Sequence, residues 1–122
     1  MHIEVPAVPV KELIGQPAGE PSAAIRVRVN QARRRQRKRF AGTTKIYCNA
    51  QMSAKDVKKH CRLDAASAHL LNQSITRLGL SARAYHRILK IALTIADLAE
   101  AESLSVAHVA EAVQYRRMQY EF

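Results

Sequence analysis

The placement of helix-breaking residues is the feature that most limits what this chain can fold into. All four prolines and three of the four glycines lie within the first 42 residues. The remaining 80 residues (122 minus 42) contain one glycine, Gly79, and no proline. Strand signals are nearly absent there. The sequence therefore predicts an all-α fold with short breaks between helices.

Length and composition indicate one domain with an aliphatic interior. The chain has 122 residues, the size of a single hydrophobic core. Hydrophobic residues make up 48% of it, but aromatic residues only 5%, and tryptophan is missing. The core must therefore be built mainly from Ala, Leu, Ile and Val.

The first predicted helix runs from Ala23 to Phe40, with Ser22 as its N-cap. At helical spacing its less polar residues fall on one narrow stripe, and most of its cations lie opposite. Residues 42–52 are predicted to form a loop. The stripe consists of Ile25, Val29, Ala32, Gln36 and Phe40.

Four further helices are predicted after this loop, each from a capping residue. The third of them is expected to be the longest and most apolar, with its polar residues within about 100° of arc, which is typical of a helix at the centre of a bundle. The predicted spans are Ser53 to about Cys61, Asp64 to Leu78 before Gly79, Ser81 to about Ala101, and Ser105 to about Met118.

The positive charge is concentrated in one segment. Residues 21–55 hold ten Lys or Arg and no acidic residue, whereas the rest of the chain carries ten of each sign, and the total is +10. A concentrated basic field favours a polyanion, such as nucleic acid, nucleotide or an acidic protein surface.

Cys48 and Cys61, with twelve residues between them, fit neither a zinc motif nor a disulfide framework. We expect two reduced thiols in a cytoplasmic protein and no metal site. No apolar run approaches the length of a membrane span, and because Glu4 and nearby prolines interrupt the N-terminal region we expect no signal peptide.

Several strings resemble one protein family. Residues 79–98 read GLSARAYHRILKIALTIADL and residues 108–116 read HVAEAVQYR. Shorter matches are IEVP at 3–6, SAAIRVRV at 22–29 and NAQM at 49–52. In this order and spacing they resemble the C-terminal domain of the Mg-chelatase-like AAA+ ATPases of the YifB/ComM type. Members of that family usually carry an acidic residue early in the opening helix, where this chain has Ala24 and Val27.

The resemblance implies an AAA+ lid-type bundle of about five helices. Residues 1–21 would be a flexible arm from the ATPase core, and residues 22–122 the lid. The chain contains no phosphate-binding G-x-x-x-x-G-K-[ST] loop. We therefore expect this fragment not to be an enzyme and to bind no cofactor alone, with ATP and Mg²⁺ held by the core of a hexameric bacterial ring.

Arg83 is the sharpest candidate for a functional residue. The resemblance implies that it is the sensor-2 arginine, which contacts the γ-phosphate of ATP. Arginine is always charged and presents a planar fork of donors that suits phosphate oxygens. Arg87 and Lys90 continue the same stripe one and two turns further on. Three environments remain open for these two side chains: the nucleotide, a neighbouring subunit or solvent. His86 has no partner for catalysis, so no catalytic residue is assigned.

The second candidate is the run of cations in the opening helix. Six positive charges in seven residues repel one another, so a counter-anion is expected. The run lacks interleaved aromatic residues, which weakens a single-strand interpretation. DNA and an acidic protein partner remain equally open. The residues are Arg33, Arg34, Arg35, Arg37, Lys38 and Arg39.

Three whole-protein hypotheses follow. The first is a lid that senses ATP and supports hexamer assembly for DNA unwinding or branch migration in transformation or recombination. The second is a subunit of a magnesium chelatase motor for tetrapyrrole synthesis. The third is a free-standing basic helical DNA-binding domain.

Overall fold

A computed structural model describes Met1, Ile3, Val5, residues 19–43 and residues 45–117. These residues form five α-helices, a 3₁₀ turn and no β-strand, so the all-α prediction is confirmed. The predicted arm at 1–21 and the predicted helix end at Met118 lie largely outside the described residues. The elements are α1 (Ser22–Arg39), the 3₁₀ turn (Asn49–Gln51), α2 (Ala54–His60), α3 (Ala65–Leu78), α4 (Ala82–Leu98) and α5 (Val106–Arg117).

Three predicted N-caps are confirmed. The Ser53 hydroxyl accepts from the Asp56 amide at 3.3 Å, and the Asp56 carboxylate accepts in return from the Ser53 amide at 3.0 Å. Asp64 accepts from the Ser67 amide at 2.7 Å, and Ser81 accepts from the Ala84 amide at 3.2 Å. Each bond satisfies an amide that lacks an intrahelical partner, so these helix starts are encoded locally.

The predicted cap of α1 is wrong. Pro21 occupies the N-cap position, and Ser22 is already the first helical residue. The extended backbone of Pro21 (ψ 145°) lets its carbonyl accept from the Ala24 amide at 3.1 Å. No side chain caps this end. Instead, Glu20 just before the helix forms an exposed ion pair with Arg28, which supplies an acidic partner from outside the helix.

α4 lies at the centre of the bundle, as predicted. It packs against α1, α2, α5 and the 3₁₀ turn, while α3 packs against α5. Its buried positions recur every three or four residues around more than one side of the helix, which explains its wide apolar arc. They are Ala84, Ile88, Leu89, Ala92, Leu93, Ala96 and Asp97.

The prediction that this central helix is the longest is wrong. α4 has 17 residues and α1 has 18. α4 ends at Leu98 because Glu100 adopts a left-handed conformation with φ 57°. The Glu100 amide then donates to the Asp97 carbonyl at 3.1 Å, and the Ala101 amide donates to the Ala96 carbonyl at 2.9 Å. This pair of bonds is a Schellman motif.

α1 is buried over only half of its length. Ala32, Gln36 and Phe40 from the predicted stripe are at most 6% exposed. Ile25 and Val29, on the same stripe, are 42% and 37% exposed. Periodicity therefore identified the inward face, but no described element covers its first half.

Both thiols are free, with Cys48 half-buried and Cys61 buried. Burial raises the pKa of Cys61 to about 11, so this thiol stays protonated near neutral pH. Among the described residues, no cluster of three or more His, Cys, Asp or Glu side chains is placed to hold a metal ion. None of the described helices has both the length and the apolar character that crossing a bilayer requires.

Candidate anion-binding site

A cavity of about 580 Å³ lies beside the first turns of α4. Its polar lining is basic and comes from two helices, α4 and α5. The described lining includes no acidic side chain. The basic lining residues are Arg83, Arg87, Lys90 and Arg116, with His86 between them, and the remaining lining residues are Met1, Ala50, Met52, Ala54, Ile88 and Ile91.

Arg83 is exposed and lies in the first turn of α4, immediately after the Ser81 cap. The first turn of a helix carries amides without intrahelical acceptors and the positive end of the helix dipole. An anion near Arg83 would therefore interact with the guanidinium and with this end of the helix. Arg83 thus lies on the wall of an open cavity at the beginning of a helix.

Arg87 lies one turn further along α4 and is also exposed. Lys90 differs from it, since its ammonium donates to the Ala50 carbonyl at 3.2 Å. Lys90 thus links α4 to the 3₁₀ turn as well as lining the cavity. His86 packs edge-on against the ring of Tyr85, with ring centroids 5.6 Å apart.

Arg116, near the end of α5, is a lining residue that the sequence analysis did not single out. It follows Val109, Ala112 and Val113 at helical spacing, and all three are buried. A cation at the next position of an apolar stripe was the available signal. Its Nε atom is buried and has no hydrogen-bond partner among the described residues.

The structure divides the predicted basic run into two groups. Arg39 donates to both carboxylate oxygens of Asp97, at 2.9 and 2.7 Å. The Nε of Arg35 lies 3.7 Å from the same carboxylate, and Arg35 also donates to the Ala101 carbonyl. Asp97 is only 1% exposed. These two arginines therefore neutralise a buried acid of their own chain, a partner that the sequence analysis did not consider.

The other four cations of the run are exposed. They carry the positive charge that α1 presents to solvent in this region, so a polyanion would meet them first. They are Arg33, Arg34, Arg37 and Lys38.

Asn49 joins the Asp97 ion pair to the cavity. It is 1% exposed, and its Nδ2 donates to Asp97 at 2.9 Å and to Thr94 at 3.1 Å. Its Oδ1 accepts from Arg39 at 2.9 Å, and its backbone amide donates to Gln36 at 3.0 Å. The next residue, Ala50, lines the cavity. This network therefore positions the 3₁₀ turn against α1 and α4.

The geometry is that of an all-helical domain with a basic cavity suited to binding an anion. A family profile described as "Magnesium chelatase, subunit ChlI C-terminal" matches residues 19–116. The match covers most of the chain. This chain therefore belongs to the family of magnesium chelatase ChlI C-terminal domains.

Curated relatives agree with this assignment. Over 119 residues the chain is 42% identical to competence protein ComM of Haemophilus influenzae, covering 97% of this chain and 22% of that protein. It is 37% identical to YifB of Salmonella typhimurium over 118 residues, which are 95% of this chain and 22% of that protein. It is 40% identical to YifB of Escherichia coli over 98 residues, which are 80% of this chain and 18% of that protein. The chain thus spans about a fifth of the length of these bacterial relatives.

Proposed function

We propose that this domain is the C-terminal lid of a Mg-chelatase-like AAA+ ATPase and that it senses ATP through Arg83. The observation that carries the proposal is the cavity at the start of α4, where Arg83 and Arg87 line a space of about 580 Å³ and no described lining residue is acidic. In this proposal an ATPase core holds ATP and Mg²⁺, and the lid closes on the phosphates. The fragment contributes contacts to phosphate and no group that breaks a bond.

The cavity suits a nucleotide because its lining supplies hydrogen-bond donors from arginine side chains. Guanidinium groups bind phosphate oxygens through paired, charge-assisted hydrogen bonds. Arg83 also adds to the favourable field at the beginning of a helix of 17 residues. When ATP is hydrolysed, the charge that these groups contact changes, so the position of the lid follows the nucleotide state.

The test is Arg83→Ala in the longer ATPase that carries this domain. Removal of a charge-assisted hydrogen bond to the γ-phosphate is expected to lower ATP turnover by about tenfold or more, and to weaken ATP-dependent oligomerisation. Arg77→Ala is the matched control, because Arg77 is an exposed helical arginine on α3 outside this cavity. ATP turnover and oligomerisation at the control level in the Arg83 variant would refute the sensor role.

Assembly into a hexameric ring is part of this proposal. The first half of α1 exposes Ile25, Val27 and Val29, at 42%, 56% and 37%. Apolar side chains of this kind on one exposed helix suit contact with the ATPase core or a neighbouring subunit. The ring would work in the bacterial cytoplasm, where ATP and DNA are available.

DNA is the second ligand that we propose, as the substrate on which the ring acts by unwinding or branch migration. Four exposed cations of α1 support it, because backbone phosphates are bound mainly by exposed Lys and Arg. One relative bears the name competence protein ComM, which fits a role in transformation. An acidic protein surface is the competing partner for the same four residues.

Magnesium insertion into a tetrapyrrole is the alternative activity for such a ring, and the family description names magnesium chelatase. The two activities differ in what stimulates the ATPase. Stimulation by branched or single-stranded DNA would favour the first, whereas stimulation by a porphyrin with its chelatase partners would favour the second. A free-standing DNA-binding domain would be favoured instead if the genomic reading frame upstream encoded no phosphate-binding loop.

A further inference from the structure

The Arg116 side chain contains a buried hydrogen-bond donor, its Nε, that has no acceptor among the described residues. The residue is half-buried near the end of α5, next to the core positions Ala112 and Val113. Its Nε is buried, yet no described residue accepts a hydrogen bond from it. Buried donors are nearly always paired, and an unpaired one costs free energy. Because Arg116 also lines the cavity, an anion there would bring negative charge close to this guanidinium.

Other positively charged side chains line the same cavity as Arg116. Arg83 and Arg87 line it from α4, and Arg116 lines it from α5. Lys90 is directed to the Ala50 carbonyl at 3.2 Å, so part of its hydrogen-bonding capacity is used. Three guanidinium groups around one space repel one another unless an anion lies between them. The described lining offers no carboxylate for that purpose.

The apolar part of the lining strengthens such a contact. Met52 and Ile88 are at most 3% exposed and form part of the cavity wall. Hydrogen bonds to charged groups are stronger beside apolar surface than in bulk water. A cavity of about 580 Å³ is within the range of small-molecule sites and is much larger than one phosphate requires.

We propose that Arg116 is a second phosphate-binding arginine, which faces Arg83 and Arg87 across the cavity. The three residues contact successive phosphates of one oligophosphate chain, with α4 on one side and α5 on the other. This inference rests on the proposed function and extends it, because it gives the last described helix a direct contact with the ligand. The lid then holds the phosphate chain between two helices.

The experiment measures binding of inorganic tripolyphosphate to the 122-residue chain by isothermal titration calorimetry at low salt. Arg116→Met removes the guanidinium and keeps an apolar side chain that packs like the arginine stem. We expect it to weaken binding by about tenfold, and Arg116→Lys to weaken it less because the charge remains. Arg83→Ala is measured in parallel, and Arg77→Ala serves as the control with equal charge change.

Thermal melting by circular dichroism is recorded for each variant, and affinities are compared at a temperature where all are folded. If Arg83→Ala weakens binding but Arg116→Met matches the Arg77 control, the role of Arg116 is refuted and the sensor role of Arg83 is not. If both variants match the control, both proposals fail. If the parent chain shows no saturable binding, the two-helix phosphate site is refuted, whereas the ATP turnover of Arg83→Ala in the longer protein still tests the sensor role separately.

Discussion

Arg39 on α1 binds Asp97 on α4 through two hydrogen bonds, at 2.9 and 2.7 Å, across 58 residues of sequence. The Asp97 side chain is 1% exposed and that of Arg39 is 18% exposed. A buried carboxylate without a partner is strongly unfavourable, so this pair holds the only end of α1 that packs against the described bundle.

Removing one member of this pair should destabilise the fold. Arg39→Ala is expected to lower the free energy of unfolding by about 3 kcal/mol, since it leaves much of the Asp97 charge uncompensated. Arg37→Ala, on the same helix but exposed, should change it by less than about 0.5 kcal/mol. Urea denaturation followed by circular dichroism measures both. Equal losses of unfolding free energy in the two variants would show that the buried Asp97 carboxylate does not need Arg39 as its partner.

The left-handed residue after α4 offers a stabilising substitution. Glu100 has φ 57°, a conformation that costs free energy for residues with a Cβ and that glycine adopts readily. Glu100→Gly should raise the free energy of unfolding by about 0.5–1 kcal/mol. Glu102→Gly is the control, because Glu102 is exposed and has no positive φ. Equal destabilisation by both substitutions would contradict the left-handed conformation of Glu100.

The thiol of Cys61 should respond to pH in a defined direction. Burial raises its pKa from 9.0 to about 11, so folding favours the protonated form. Its contribution to stability is complete below pH 9, the unfolded value, and is lost as the pH rises through about 11. The parent should therefore lose more stability than Cys61→Ala between pH 9 and 11, as measured by urea denaturation. Parallel pH profiles would argue against a buried titrating thiol.

The same thiol should be protected from reagents at mildly alkaline pH. Cys61 is 6% exposed, whereas Cys48 is half-buried. With a thiol reagent in excess, we expect Cys48 to react first and Cys61 only in step with unfolding, because the thiolate is the reactive form. Cys48→Ser isolates the slow reaction and Cys61→Ser the fast one. Similar rates for the two variants would exclude this protection.

The exposed cations of α1 make a salt-dependent prediction for DNA. Changing Arg33, Arg34, Arg37 and Lys38 to Gln should weaken duplex binding and reduce the slope of log affinity against log salt by about 0.9 for each phosphate that the variant no longer neutralises. Fluorescence anisotropy with labelled duplex at several salt concentrations measures this slope. A matched variant with the same charge change replaces Lys58, Lys59, Arg62 and Arg77, which are also exposed.

If the two variants lowered the slope equally, binding would reflect net charge alone, and the α1 surface would have no special role in it. If neither lowered it, DNA would not be the partner of this chain. An acidic protein partner would then be the remaining explanation for the exposed cations.

Local chemistry made most helix boundaries predictable. Ser53, Asp64 and Ser81 cap helices through bonds to residues three positions away, and Gly79 ends α3 in a left-handed conformation with φ 62°. Interactions over such short spans depend little on the rest of the fold, so the residue types suffice to predict them. Ser22 failed as a cap because Pro21, one residue earlier, already provides the first accepting carbonyl.

Tertiary packing decided which charges are available for binding. The basic run reads as one uniform surface in the sequence, but Arg35 and Arg39 turn to Asp97 and four neighbours remain exposed. Likewise Arg116 and Arg83 line one cavity although they are 33 residues apart (116 minus 83). Helical periodicity relates residues within one helix, whereas these relationships depend on how α4 packs against α1 and α5. The sequence by itself thus determined the helices and the family, and only the packing of α4 decided which cations neutralise the buried Asp97 and which line the cavity.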